Sequence, residues 1–301
     1  MKRGVIFLIL LLALVPFVNA GFFDKINEWL EKNVQLAPQQ PTDVRIQVGN
    51  SAPTIDTVPS INAVNLNPAP STTSVAFTFT ARDRNGAADL VDSTASASLT
   101  KTGEQARTGS CSFQSQSGQR KTYSCTVNMQ YYDASGTWNA QISIQDQSGS
   151  TASDNTATFT VNLLRDISIT PTIIGFPTVA QGDGNITSTS STTITNNGNF
   201  VAPTNGNLQI TAFDLKGETI PAETIPAANF RVAGPAGAAT VCSTGTALIH
   251  GSTAAISSAT IPRGPSGSNT ADITYCIRFV PETISTQFYS ATGGSAWIIG
   301  I

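Results

Sequence analysis

The stretch that decides the fold class is Val75-Ala76-Phe77-Thr78-Phe79-Thr80-Ala81. Its larger apolar side chains occupy every second position, which places them on one face of an extended chain. This period of two is typical of a β-strand with one buried face. Turn-forming residues flank the stretch, with Asn67-Pro68 before it and Asp83 to Gly86 after it. The sequence therefore predicts an all-β fold built from short strands.

Similar alternation recurs along the whole chain. In the first half the predicted strands are Ala95–Leu99, Tyr123–Val127, Trp138–Ile144 and Thr156–Val161. In the second half they are Asp166–Ile169, Ser191–Thr195, Asn207–Phe213, Phe230–Val232, Ala247–Ile249, Ala271–Phe279 and a last strand within Ser295–Ile301. Short strands separated by turn-rich clusters predict two tandem β-sandwich domains, over residues 49–163 and 164–301.

The first twenty residues have the layout of a secretory signal peptide. Lys2 and Arg3 precede an apolar run from Val5 to Val18, and Val18-Asn19-Ala20 offers small residues for cleavage. The run is shorter than the ~20 apolar residues that a membrane-spanning helix needs. A cleaved signal over residues 1–20 is therefore our interpretation, with a retained anchor or a prepilin leader cut after Gly4 as alternatives. We expect a protein that is secreted or held at the cell surface, with no integral membrane span after cleavage.

Residues 21–48 are predicted to form a short amphipathic helix and a linker. From Phe22 to Val34 apolar residues recur at spacings of three and four, with charged residues between them. This pattern predicts a helix over Gly21–Leu36, and its apolar face needs a partner such as another protein or a membrane surface. From Thr42 to Val48 the apolar period changes to two.

The chain carries few charges. Charged residues make up 12% of the 301 residues, and the formal net charge is -3. Lys and Arg do not cluster anywhere along the sequence. Because contact with a nucleic-acid backbone depends on such clusters, we expect no nucleic-acid partner.

The four cysteines are Cys111, Cys125, Cys242 and Cys276. No Cys-x-x-Cys spacing is present and the chain has one His, which disfavours a zinc site. In an exported chain an even number of cysteines indicates disulfides. Three pairings are open, and the local one, Cys111–Cys125 with Cys242–Cys276, keeps each bridge inside one predicted domain. Two pairs of buried free thiols are the alternative.

Two short motifs resemble immunoglobulin-like domains. Asp133-Ala134-Ser135-Gly136-Thr137-Trp138-Asn139-Ala140 resembles the corner Asp-x-Gly-x-Tyr-x-Cys, with one extra residue before Gly136, Trp138 in place of Tyr and Ala140 in place of Cys. Thr195-Asn196-Asn197-Gly198-Asn199 resembles the Asn-x-Gly-Asn turn of adhesion-type modules in secreted archaeal and bacterial surface proteins. The departures exclude an antibody-type domain. The resemblance implies two immunoglobulin-like sandwiches with structural or adhesive duties and no reaction.

A calcium-binding turn is the best candidate site. Asp83 and Asn85 present alternate oxygen ligands, Gly86 permits the bend, and Asp89 and Asp92 follow. An EF-hand loop would need a Glu at its twelfth position, where Thr94 stands. A polar hairpin with Asx-type hydrogen bonds is the alternative. We expect no other cofactor.

Catalytic residues have little support in the sequence. His250 is the single His, and no Gly-x-Ser-x-Gly elbow accompanies it. Asp214, Glu218 and Glu223 could supply paired carboxylates for sugar hydrolysis, but they lie in a polar connection. Asn185-Ile186-Thr187 is a glycosylation sequon.

The sequence therefore favours a non-catalytic structural or adhesive protein whose partners are other surface proteins or glycans. One alternative is a filament subunit that self-associates by lending a strand, either Thr42–Val48 or the last strand. Another is a carbohydrate-binding module that uses Asp83 or exposed aromatic residues such as Tyr131 and Tyr132.

Overall fold

A computed structural model describes residues 20–33, 42–291 and 296–301. The chain divides into two compact units, Met1–Gly49 and Asn50–Ile301, and each is considered by itself. The predicted signal peptide lies outside the described residues except for Ala20, and residues 34–36 of the predicted helix also lie outside them.

The first unit contains one described helix, α1, which runs from Ala20 to Asn33. Its large apolar side chains are exposed, with Phe22 at 51% and Trp29 at 59%. Downstream, residues 42–49 form no strand, and Val44, Ile46 and Val48 are 76–87% exposed. An alternating segment becomes a strand only when a neighbouring strand completes its hydrogen bonds, and none of the described residues does so here.

The second unit is built from nineteen described strands and short helical turns. The strands are β1 Thr54–Thr57, β2 Thr72–Arg82, β3 Leu90–Thr100, β4 Arg107–Ser117, β5 Arg120–Gln130, β6 Gly136–Asp146, β7 Thr151–Val161, β8 Ile167–Thr170, β9 Ile186–Thr187, β10 Thr192–Asn196, β11 Gln209–Thr211, β12 Leu215–Gly217, β13 Thr224–Ile225, β14 Phe230–Ala233, β15 Thr246–Ala247, β16 Thr253–Ala255, β17 Thr270–Ile277, β18 Tyr289–Ser290 and β19 Ile298–Gly300. The helical turns are Ala87–Asp89, Ala227–Asn229, Pro235–Thr240 and the short helix α2, Val241–Thr244. Every strand pairing is antiparallel, which confirms the predicted all-β architecture.

The seven strands β1 to β7 form the first core. Their order is β1-β2-β5-β4-β3-β6-β7, and β4 changes partner along its length. Residues 107–110 of β4 pair with β3, whereas residues 110–117 pair with β5. The crossing separates a β1-β2-β5-β4 layer from a β3-β6-β7 layer, which is the strand order of an immunoglobulin-type sandwich. Gly109 sits at the crossing, where an added Cβ would lie 2.1 Å from the Thr126 carbonyl oxygen.

Side chains from both layers fill the first core. Phe79 and Tyr123 of one layer and Leu99 and Trp138 of the other are fully buried in one cluster. The Trp138 indole N–H donates to the Ala134 carbonyl at 2.8 Å. Trp138 therefore closes the core end and bonds back to the backbone just upstream, as the Tyr of the immunoglobulin corner does.

The second core repeats these pairings with shorter strands. The order β8-β10-β17-β14 corresponds to the β1-β2-β5-β4 layer, and β11 pairs with β19 as β3 pairs with β6. Among the described residues no strand takes the position that β7 has in the first core. The sheets β16-β11-β19 and β13-β12-β18 contain strands of only two or three residues. The predicted last strand is β19, whose neighbours Trp297 and Ile301 pack against this core.

Each core holds one disulfide. Cys111 and Cys125 occupy directly paired positions on β4 and β5, and Cys242 on α2 bonds Cys276 on β17. This is the local arrangement among the three that the sequence left open, and the described chain has no free cysteine. Cys125 and Cys276 are fully buried, so both bridges lie against packed interior.

Candidate metal centre

Three carboxylates meet at one end of the first core. Asp83 directly follows β2, Asp89 ends the helical turn that leads into β3, and Asp146 is the last residue of β6. The β2–β3 loop and the β6–β7 turn lie at the same end of an immunoglobulin-type sandwich. The topology therefore gathers acidic residues that the chain separates by as many as sixty-three positions.

The three side chains are close together and largely shielded from solvent. One carboxylate oxygen from each lies within 4.8 Å of those of the other two. Asp83 is 0% exposed and Asp146 is 2% exposed, whereas Asp89 is half-buried. None of the three forms an ion pair with a Lys or Arg within the described ranges. Like charges at this separation repel, and a shared cation would remove that repulsion.

Asp83 has one oxygen engaged and one free. Its Oδ1 accepts the Asn85 N–H at 2.7 Å, which is the Asx-type contact of a tight turn. Its Oδ2 is buried and has no hydrogen-bond partner in the part of the chain that the structure describes. A buried carboxylate oxygen without a partner is costly and rare in native structures.

Asp146 is held in place by its own turn and by the start of the second unit. Its Oδ1 accepts the Ser150 N–H at 2.7 Å, and its Oδ2 accepts the Asn50 amide at 2.8 Å. The hydrogen bond from Asn50, together with those from the Ser150 turn, lowers the pKa of the Asp146 carboxyl. Asp146 therefore stays ionised and offers its remaining lone pairs to the cluster.

The predicted ligand set is only partly brought together. The structure places Asp83 and Asp89 in the cluster, but the Asn85 side-chain oxygen accepts the Ser51 N–H at 2.8 Å. Asp146 takes the third place, and sequence reasoning missed it because it lies on another strand pair. The one available signal was Asp146-Gln147-Ser148-Gly149, a turn with an acidic first residue.

His250 lies beside Asp214, with 3.1 Å between its Nδ1 and the Asp214 carboxylate. Its Nδ1 accepts the backbone N–H of Asp214 at 3.1 Å, and its ring meets Phe213 edge to face. The Asp214 carboxylate in turn accepts the Ala227 N–H at 2.7 Å. These contacts connect the segment around Asp214 with the turn that carries His250.

Glu223 also has a structural environment. Its carboxylate accepts hydrogen bonds from Tyr289 at 2.6 Å, from the N–H and hydroxyl of Ser285 and from Gln287. The Tyr289 bond, followed by the Ser285 bonds, lowers the pKa of Glu223 to about 2. A carboxylate so acidic is a poor general acid at neutral pH.

The structure corrects the view of Tyr131 and Tyr132 as exposed aromatic residues. Tyr131 is 6% exposed, and Tyr132 is half-buried under the Arg107 guanidinium at 5.6 Å. Their rings pack against each other edge to face, so they are part of the core end and not a flat sugar-stacking platform.

Asn185 is exposed in the turn before β9, where an N-linked glycan would meet no obstruction from burial.

Comparisons with known proteins identify no family. No family model matches the chain, and no curated protein matches it. Among solved structures, "Titin Ig tandem domains A164-A165" is similar, with 10% identity, a TM-score of 0.26, and coverage of 84% of this chain and 96% of that one. None of the helices in the described residues is both long and apolar enough to cross a membrane.

Proposed function

We propose that this is an exported, non-catalytic surface protein whose two β-cores form a stiff spacer that presents or receives a partner. The observation that carries the proposal is the junction between the cores. It is tied by buried hydrogen bonds and by a two-contact ion pair, so the cores hold one relative orientation.

Asn199 is the centre of this junction. It is 1% exposed, its amide donates to the carbonyls of Asp133 and Asn162 at 3.0 Å, and its oxygen accepts the Leu164 N–H at 2.6 Å. Three of the four hydrogen-bonding positions of the Asn199 side chain are thus used at the junction. Gly198 lies against the Leu164 carbonyl, where an added Cβ would stand 2.3 Å from the oxygen.

A charged contact supports the same junction from the side. The Arg263 guanidinium of the second core donates both to Glu104 of the first core, with one contact at 2.9 Å, and to the Tyr132 carbonyl at 3.0 Å. Arg263 and Glu104 side chains are 27% and 13% exposed. A two-point guanidinium–carboxylate contact fixes direction as well as distance.

Export is supported by the two disulfides and by the sparse charge. Disulfides persist outside the reducing cytoplasm, and each core here has one. The signal peptide, the surface location, and glycans or surface proteins as partners belong to this proposal.

Two measurements test the proposed function. A non-reduced peptide map of the protein from its native cells should show a chain that begins at Gly21 and contains both local disulfides. An uncut chain with four free thiols would overturn export. Small-angle X-ray scattering should show one compact two-core shape that broadens in Arg263→Ala but not in Arg278→Ala, an exposed arginine of the second core. A wild-type profile as broad as that of the variant would overturn the stiff spacer.

A second function, strand lending between copies, is favoured by one specific observation. The alternating residues Val44, Ile46 and Val48 are highly exposed and lack a strand partner among the described residues. The sheet β16-β11-β19 ends on β19, which leaves an edge of the kind that accepts an added strand. Size-exclusion chromatography with light scattering should show multimers that V44D/I46D abolishes. A strict monomer at high concentration would exclude strand lending.

A further inference from the structure

We propose that Asp83, Asp89 and Asp146 form a Ca²⁺ site at the end of the first core that lies away from the junction. This site goes beyond the spacer function proposed above. It also differs from the sequence prediction, because Asp146 replaces Asn85 as the third side-chain ligand.

Asp83 has one buried carboxylate oxygen without a hydrogen-bond partner among the described residues. The residue is fully buried, and its Oδ2 faces no donor in the described chain. A neutral partner is absent there, and two other carboxylates supply an oxygen within 4.8 Å. A cation that contacts all three carboxylates would bond the unpaired oxygen of Asp83 and would also offset the repulsion between the three negative charges.

The three side chains of the cluster offer only oxygen donors. Carboxylate and carbonyl oxygens are the ligands of hard cations, and no Cys or His belongs to the cluster. Ca²⁺ accepts irregular geometry and six to eight oxygens, whereas Mg²⁺ demands a near-ideal octahedron. The half-buried Asp89 leaves one side open to water, which supplies an entry path and the remaining ligands.

Neighbouring residues support the loops that carry the cluster. Hydrogen bonds hold both loops in place before any ion arrives: Asn50 bonds Asp146, Ser51 bonds Asn85, and the Gln147 N–H bonds the Asp89 carbonyl at 2.9 Å. These contacts join the β2–β3 loop, the β6–β7 turn and the segment that enters β1. An ion bound to all three carboxylates would therefore stiffen the end of the first core at which the chain enters.

The site has a defined position relative to the junction. β7 begins after the Asp146 turn and runs for eleven residues to Val161, next to the junction residue Asn162. At ~3.3 Å per residue, the two ends of the first core are about 36 Å apart. The spacer would thus be tied by hydrogen bonds at one end of this core and by calcium at the other.

Calorimetric titration of the purified, chelator-treated protein with CaCl₂ tests the site. We expect one site with a Kd of about 10⁻⁴ to 10⁻³ M, as in extracellular calcium modules. The Tm should then rise by about 5 °C at ~10 mM CaCl₂ and less with MgCl₂. Asp83→Asn and Asp146→Asn should each weaken binding at least about tenfold.

Two variants serve as controls. Asp154→Asn removes one carboxylate from β7 of the same core, where that carboxylate accepts the Thr156 N–H at 2.8 Å, and should bind like wild type. Asn85→Ala should bind Ca²⁺ more tightly than Asp83→Asn does. The reason is that the Asn85 side-chain oxygen accepts the Ser51 N–H and is not a ligand in the proposed set.

If Asp83→Asn fails to fold, amide hydrogen exchange of the wild-type protein with and without calcium still tests the site. Calcium should slow exchange in residues 83–89 and 146–150 and leave 285–290 unchanged. No heat of binding and no change in Tm or exchange at ~10 mM CaCl₂ would overturn the site. Equal stabilisation by Mg²⁺ would overturn the choice of calcium, and unchanged affinity in Asp146→Asn would overturn the ligand set.

Discussion

The two cores share their strand pairings but differ in how those pairings are held. In the first core β1 has four residues and each of β2 to β7 has eleven, and the disulfide joins two directly paired positions. The second core uses strands of two to eight residues, and its disulfide joins a short helix to its longest strand. Long strands supply many ladder hydrogen bonds, so the second core depends more on side chains to close its loops.

The tryptophans show this difference most clearly. Trp138 lies in β6 and is fully buried, and Trp297 lies just before β19, the strand that corresponds to β6. Each indole N–H donates to a backbone carbonyl, that of Ala134 for one and that of Phe213 for the other at 2.7 Å. Trp297 is only half-buried, although it packs edge to face against Phe230. The indole-to-carbonyl hydrogen bond is thus present both in the first core, where the Trp is fully buried, and in the second core, where the Trp is half-buried.

The largest expected effect comes from truncating these tryptophans. Trp138→Ala should lower the free energy of unfolding by about 4 kcal/mol, since it leaves a large cavity and an unpaired Ala134 carbonyl. Trp297→Ala should cost about 2 kcal/mol because much less of it is buried. Urea unfolding with intrinsic fluorescence gives both values. Equal losses would show that the two positions are equally enclosed.

Removing a disulfide should destabilise the second core more than the first, which is the reverse of the order expected for the tryptophans. In the chain-entropy model, the Cys242–Cys276 loop of 34 residues is worth about 4 kcal/mol and the Cys111–Cys125 loop of 14 about 3 kcal/mol. Calorimetry of the two double-serine variants measures the difference. A larger loss in C111S/C125S would mean that the first core relies on its disulfide despite its long strands.

Asn199→Ala tests whether the cores are coupled. The change leaves two carbonyls and the Leu164 N–H without a partner and should cost about 2 kcal/mol. It should also split one unfolding transition into two. Asn269→Ala serves as the matched control: it removes a buried side chain that bonds within the second core, where it donates to the Asn196 carbonyl and accepts the Gly267 N–H. Splitting of the transition in both variants would contradict a specific role of Asn199.

The smallest effect concerns acid stability of the second core. Tyr289 and Ser285 hold the pKa of Glu223 at about 2, below its usual 4.5. A depressed carboxyl pKa stabilises the fold above the unfolded value, and that contribution is lost as the pH falls from about 4.5 towards 2. Glu223→Gln should flatten this part of the stability profile, as measured by urea unfolding between pH 5 and pH 3. Glu218→Gln, which removes a nearby acid, should keep the wild-type profile.

Much of the architecture could be predicted because period-two alternation reports burial directly. β2, β5 and β6 match the predicted Val75–Ala81, Tyr123–Val127 and Trp138–Ile144. β4 was missed because most of its outer half is exposed and its sequence is mostly polar, with Cys111 and Phe113 as its two apolar side chains. The alternating Thr42–Val48 made no strand, since alternation specifies a face and not a neighbour.

The candidate site could be predicted only in part. Asp83 and Asp89 share one loop, so their spacing was visible, and Asn85 between them looked like a ligand. Its true partner is the Ser51 N–H, and the third carboxylate comes from a strand pair beyond the reach of any local motif.

The sequence alone determined which residues alternate, where turns interrupt them and which cysteines could pair, because those properties depend on neighbours along the chain. Tertiary structure decided how β4 divides the layers, how Asn199 joins the cores and which carboxylates meet. These depend on loops brought to one end of a sandwich, and that proximity is set by strand order.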